Sequence, residues 1–485
     1  MNRILSATRW RSMITVALLT SALLLHGAVL RPTGVGAQAS TSCYTVTELS
    51  LGGDGAQAMF FTRSGHVLGF GPDAAQEYHL FIYNDTGIHD LDAALNSPGS
   101  YFTVIDPQKS LSEDGSVFGM AIDNSSSSQY AVIFDSTGLH QPTLGGSFSI
   151  AIDINDAGQA TGAATDASEA TLHAFRYDHG TMDDLGTLGG SRSYPYAISE
   201  NGKVVGEATN ANEDSHAFLY DDDGIQDLGV LSGGSRSLAV AVNDAGQAAG
   251  YSEVTGGAQH AFLYDGTGML DIGVLPGGTY SNATHINASG QVVGISDNGN
   301  YEQHAFLYDG TTMQDLTPGA EYAEVMRFTD SGVVIGTAYT AQGSYVFVYD
   351  STGLHNISLG GTYSDAYGSF GGSGATNQSG DVAGFADTTD DAARHAFLYD
   401  SNGLHDLNSL PGDDGSALGI NDSGQVVGYS NESAFLYSGG VMSDLNNLLC
   451  GTGVALQTAL GISDDGKILA ADMDQGHLYL LTPPS

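Results

Sequence analysis

The sequence predicts an all-β protein, a β-propeller of about ten four-stranded blades whose ring is closed by the N-terminal strand. Three observations predict it: a unit of roughly 44 residues repeated along the chain, four short β-prone runs in each unit, and two chain ends that complement one another.

The repeat shows first in its turns. A turn like the NDAG at Asn243–Gly246 returns with its glycine at Gly65, Gly115, Gly158, Gly202, Gly246, Gly290, Gly332, Gly380, Gly424 and Gly466, at intervals of 42 to 50 residues. Inside the unit 235–278, β-prone runs fall near Leu238–Val242, Gln247–Tyr251, His260–Tyr264 and Met269–Ile272. NDAG, TGGA and DGTG separate them. In such turns Gly supplies positive φ, and Asn or Asp bonds back to its own backbone. A helical repeat is disfavoured, because no run of twelve residues keeps a 3.6-residue apolar period without Gly or a turn pair.

The ends supply the closure. YTVTELSLGG from Tyr44 matches a fourth strand and its following loop, as at Thr181–Gly190, whereas the chain finishes on HLYLL from His477, which matches a third strand. Pairing Tyr44–Leu49 beside His477–Leu481 completes the last blade and hides edges that invite aggregation. Two smaller propellers, or an open stacked array, are the alternatives. The irregular stretches Leu316–Ala323 and Gly360–Ala375 are where a break between rings would fall.

Residues 1–39 read as a signal peptide and residues 40–485 as the repeat domain. Arg3, Arg9 and Arg11 precede the apolar run Met13–Leu25, which is 13 residues long. That is short of the ~20 needed to span a bilayer, and Ala37–Ala39 offers a small-x-small cleavage site. The expected product is secreted, extracellular or periplasmic, with no membrane span. It carries 9 basic against 55 acidic residues, a formal charge of −46. Nucleic acid is excluded as a partner on that ground; the scattered acids suit solubility.

Cys43 and Cys450 are the two cysteines, in a compartment where a disulfide persists. The blade register places them at the start of a fourth strand and the start of a first strand, at opposite ends of one blade. A strand of this length rises ~17–20 Å, whereas a disulfide needs Cα atoms within ~7 Å, so the pair is expected to be unbonded.

Three motifs recur together: HAFLYD at His216, His260, His304 and His395, with HAFRYD at His173; the DLG and GG elements of Asp227–Gly234; and INDSGQVVGYS at Ile420–Ser430. In combination they resemble the bacterial extracellular HAF-repeat family, over essentially all of Tyr44 to Leu481. The resemblance implies export and a repeat architecture, and it brings no activity or catalytic residues. Units two, seven and nine depart from it, with Tyr130, Tyr345 and Ser433 in place of the histidine.

A metal site needs several ligands within ~2.1 Å of one ion, and third strands of successive blades do not converge in that way. The histidines therefore read as polar struts from the third strand to a loop, and Phe218, Phe262 and Phe306 beside them as core. NDAG and DDDG (Asp221–Gly224) resemble fragments of calcium loops but lack the twelve-residue loop and its closing Glu. Turn capping explains them. No metal site and no cofactor are expected, calcium being the one ion these turns suit.

Copy-to-copy variation is the better functional signal. Two residues past the GG pair, or its aligned position, the ten units carry Gly55, Ile105, Phe148, Arg192, Arg236, Tyr280, Tyr322, Tyr363, Asp414 and Leu456. Phe148, Arg192, Arg236, Tyr280, Tyr322 and Tyr363 would form an arc near one mouth of the central channel. Aromatic faces stack on sugars or apolar ligands, and Arg grips carboxylate or sulfate. Packing, or pairing with nearby acids, is the structural explanation set against it. Five residues further on, Asp153, His285 and Arg327 offer an acid, a base and a cation. The reading is a secreted binding scaffold for an extracellular glycan or protein ligand: carbohydrate, peptide or envelope components. The alternative is a polysaccharide-active lyase or hydrolase with Asp153, His285 and Arg327 in the channel. Binding is preferred, because spacing alone does not bring those three together.

Overall fold

The computed structural model describes residues 43–95, 100–104, 106, 109–123, 128–366, 376–407, 414–451 and 453–484. The expected leader, residues 1–39, lies outside them, as do residues 367–375 of the second expected break.

Among the described residues forty strands form ten antiparallel meanders, at 57–90, 100–140, 145–186, 189–229, 237–273, 281–315, 322–357, 360–406, 415–444 and 458–482, here called blades one to ten. The tenth takes its fourth strand from the other end of the chain: Thr45–Glu48 pairs antiparallel with His477–Thr482, Thr45 facing Thr482 and Glu48 facing Tyr479. This is the closing pair expected from the sequence. The ten turn glycines all have positive φ, between 70° and 91°. Among the described residues no helix is long and apolar enough to cross a membrane.

Burial follows position in the blade. Second strands such as Val204–Asn210 (VVGEATN) are buried almost throughout, since both faces meet a neighbouring blade, whereas a fourth strand such as Gly224–Gly229 is mostly half-buried or exposed. In blades one to nine the second strand carries a glycine where a Cβ would collide with the first strand: at Gly250 it would lie 1.9 Å from the Leu238 carbonyl oxygen. Phe218, Phe262 and Phe306 are fully buried, as expected of core.

A shared apolar core joins every consecutive pair of blades. Blades four and five share Leu219, Leu228, Ala239 and Phe262; blades five and six share Leu263, Ile272, Ala283 and Phe306. The same holds across the chain ends, where Phe61 and Phe81 of blade one pack with Leu469 and Leu480 of blade ten. Ten such cores make a closed circuit. Hydrogen bonding also groups blades two to four and six to eight into two twelve-stranded sheets, the grouping that two smaller propellers would favour. The links within each group are single parallel pairs, such as Leu172 with Arg192 and Gln303 with Tyr322. They add to the circuit without interrupting it, and no core is missing at Leu316–Ala323.

One expectation fails. Cys43 and Cys450 are disulfide-bonded, with Cα atoms 5.2 Å apart. The error lay in placing Cys450 at the start of a first strand. That strand begins only at Thr458, and Cys450 belongs to the connection leaving blade nine, which runs alongside the N-terminal strand. Tyr44 N donates to Leu448 O at 2.9 Å, and Cys450 N donates to Tyr44 O at 3.1 Å.

Candidate functional site

The first strands of neighbouring blades lie against one another from blade three through blade seven and between blades nine and ten, which makes the first strand the innermost there. It is bulged: eight of the described blades share a slip of register with the second strand at the same place, as between Pro195 and Ala197 or Ala283 and His285, and blades three and four carry a second slip nearer the strand's start. A bulge leaves one residue unpaired and re-aims its neighbours.

At the start of that strand a serine fixes how blades meet. Ser237, fully buried, accepts from Ala217 N (2.7 Å) and donates to Gly229 O (2.5 Å), both on the preceding blade; Ser193 and Ser281 repeat the pattern. The variable arc residue stands directly before this serine. The strut therefore holds Phe148, Arg192, Arg236, Tyr280 and Tyr363 in equivalent places in their blades, whereas Tyr322 is followed by Ala323. Blade two corrects the series. Phe102 faces Ala121 as Ser193 faces Ala208, so the arc position there is Tyr101; Ile105 lies outside the described residues.

In blades four and five the two arginines meet one carboxylate. Arg192 Nη2 is 3.1 Å from Glu207 Oε1 and Arg236 Nη2 is 2.9 Å from Oε2, while Ser215 donates to Oε2 at 2.6 Å. Glu207 is buried; the two arginines are about half-exposed, at 49% and 47%. In blades six to eight the arc turns aromatic. Tyr280 is half-buried, and Tyr322 and Tyr363 are 40% and 37% exposed. Tyr322 lies 5.7 Å from Tyr339 and Tyr363 5.6 Å from Phe385, ring centre to ring centre, with the Arg394 guanidinium 4.3 Å above Phe385. Burial, and then a hydrogen bond to Asp365, push the Tyr363 hydroxyl up to about 12. Phe148 is half-buried and pairs with Gln129.

Asp153, His285 and Arg327 fall at the bulges and divide into two groups. Asp153 and His285 keep some accessible surface yet are enclosed by protein, as suits groups on a channel wall. Enclosure pushes Asp153 up to about 6, against the pull of Lys109, and drives His285 down to about 4, with Lys109 adding to the fall. Ile198 N donates to Asp153 Oδ2 at 3.0 Å, and His285 Nδ1 lies 2.9 Å from Thr284 Oγ1. Arg327 keeps other company. Burial and Arg63 lower its pKa, while Asp422 and Asp156 oppose the fall.

At the opposite end of the inner strands, the NDAG-type turns link blade to blade. Asn243 Nδ2 donates to Asn287 O at 2.9 Å and Asn421 Nδ2 to Ser463 O at 3.0 Å; Asp464 N donates to Arg63 O, joining blade ten to blade one. Acids crowd this end. Burial, then the charge of Asp156, push Glu200 up to about 7. A cavity at this end, between blades six and seven, is lined by Gln314, Tyr349 and Asp350, away from the arc. Among the described residues no three His, Cys, Asp or Glu side chains are placed to share a metal ion. The recurring histidines instead pair within their blades: His173, His216, His260 and His304 each meet an aspartate eleven residues on, at 2.8–2.9 Å.

Ten meandering blades and an exchanged closing strand define a β-propeller. No family model matches the chain, and no curated protein matches it. Among solved structures it is similar to the β-propeller domain of the Trilobed protease from Pyrococcus furiosus, at 12% identity and TM-score 0.37, over 62% of this chain and 97% of that one. It is similar to the Dos1 propeller at 13% and 0.32, over 67% and 89%. A Mycobacterium tuberculosis puromycin-hydrolysing peptidase matches at 14% and 0.32, over 64% of this chain and 56% of its own length. Such distant likenesses add nothing to the strand order and closing pair, on which the fold stands.

Proposed function

We propose that the protein is a secreted binding propeller that recognises an extracellular carbohydrate, peptide or envelope component through the inner-strand arc. The observation that carries this is the aromatic strip of blades seven and eight, Tyr322 with Tyr339 and Tyr363 with Phe385, left open at one end of the inner strands. Exposed, paired tyrosines offer flat faces for sugar rings or apolar groups, with carboxylates and Arg394 beside them for polar contacts. The charged apolar leader and the resemblance to extracellular HAF-repeat proteins support export. A glycan array tests the reading. Binding without turnover is expected, weakened at least tenfold by Tyr322→Ala with Tyr363→Ala while thermal unfolding stays unchanged. Full binding in that variant rejects the arc.

A second reading has its own observation. Asp153, with a pKa raised to about 6, shares Lys109 as neighbour with His285, an arrangement suited to proton transfer in a polysaccharide lyase or hydrolase. A product time course abolished by Asp153→Asn or His285→Ala favours that reading.

A further inference from the structure

Blades four and five make the arc electrostatically uneven. Glu207 is the one carboxylate that follows a second-strand glycine in the ten units; the aligned residues include Ala163, Tyr251, Ile295, Phe385 and Tyr429. It is saturated by Arg192, Arg236 and Ser215. The arginines are not. A guanidinium carries five N–H donors, each of these gives Glu207 a single nitrogen, and among the described residues their remaining nitrogens meet no acceptor. The clasp itself sets two cations on one anion, using two of the 9 basic residues beyond the leader, so an arriving anion would meet the open guanidinium edges at contact rather than a positive field. Tyr194 and Tyr196 lie alongside, ring centres 5.4 Å apart, and Tyr196 feels the charges of both Glu207 and Arg236.

We infer that Arg192 and Arg236, held on Glu207, form an anion-binding subsite, and that the ligand of the arc is an acidic glycan. Its carboxylate or sulfate group takes the open guanidinium edges, and its sugar ring lies against Tyr194 and Tyr196. This rests on the reading of the arc as a glycan-binding face. The charge of −46 opposes anions at long range, but at physiological salt screening cuts that field off beyond about 8 Å, and a charge-assisted contact acts within it. The nearby Glu213 and Glu253 are turned onto Ser191 and Ser235.

The test measures binding of the mature chain to an oligogalacturonate, its methyl ester, a sulfated glycan and a neutral cello-oligosaccharide. The acid is expected to bind at least tenfold more tightly than its ester, and Arg192→Gln with Arg236→Gln to abolish that preference while ester binding and the melting curve persist. If the double variant unfolds, Arg192→Gln alone should remove part of the preference. A stronger response to sulfate, lost in the same variant, supports the subsite and identifies sulfate as its anion. Equal binding of acid and ester, or a preference that survives both substitutions, overturns the subsite; if Tyr322→Ala with Tyr363→Ala still weakens binding at least tenfold, the arc reading stands without it. Binding of an acidic peptide above every glycan overturns the acidic-glycan assignment, and no binding to any glycan overturns both.

Discussion

Two polar struts recur in the blades, and exposure decides which one matters. Ser237 joins Ala217 N to Gly229 O, so Ser237→Ala would leave a buried donor and a part-buried acceptor unmade. The expected loss is about 1–3 kcal/mol. His260 meets Asp271 at 2.9 Å with its side chain 21% exposed and the aspartate 44% exposed, so water replaces much of what His260→Ala removes. That loss should be at most about 1 kcal/mol. Denaturant titration of the two variants checks the order, and a larger loss at His260 would move the main inter-strand tie to the histidine. The histidine catches the eye in the sequence because it is rare and chemically versatile. The serine goes unnoticed because Ser is common in loops, although it lies one residue past the variable arc position in five of the ten copies.

Each blade depends on a close approach between its first two strands. Gly250 leaves room for the Leu238 carbonyl where the first strand bulges, and a Cβ there would sit 1.9 Å from the oxygen. Gly250→Ala must push those strands apart, at a cost of about 1–3 kcal/mol or more. Gly268, with no positive φ and nothing within 4 Å, is the control. Gly268→Ala should change stability by less than about 0.5 kcal/mol. Equal effects of the two, measured by chemical unfolding, would mean that the bulge relaxes freely. Strands and turns were legible because their glycines and alternation repeat. The bulge was not, since it shifts pairing by one residue without altering composition. Tyr101 was missed for a related reason: an insertion in blade two follows the arc position, whereas counting from the aligned turn put it before. The Glu207 clasp did leave a mark, a carboxylate between the apolar VVG and Ala208, but its partners come from two blades and nothing local names them.

Closure is the property of the whole ring, and it hangs on a short strand. Thr45–Glu48 is four residues long and mostly exposed, so its own burial contributes little. What it protects is larger: the edge of His477–Thr482, and the core in which Leu49 packs between blades ten and one. The disulfide reinforces it by tying Cys43 to the connection out of blade nine, across a sequence separation of 407 residues. Constraining so long a loop in the unfolded chain stabilises the fold by about 2–5 kcal/mol. The complementary ends made the strand exchange legible. The bond was not, because repeat alignment carries no information on where a connection between blades runs. Cys43→Ser with Cys450→Ser should therefore melt at lower temperature while remaining folded, and removal of residues 43–49 should cause aggregation. Hydrogen exchange tells the two contributions apart. In the cysteine variant, protection should fall first in His477–Thr482 and Gln57–Phe61, on either side of the seam, while blades four to seven keep theirs. A uniform loss around the ring would mean that the bond acts on global stability alone, and a truncated chain that stayed soluble and fully stable would show that the ring does not need its clasp.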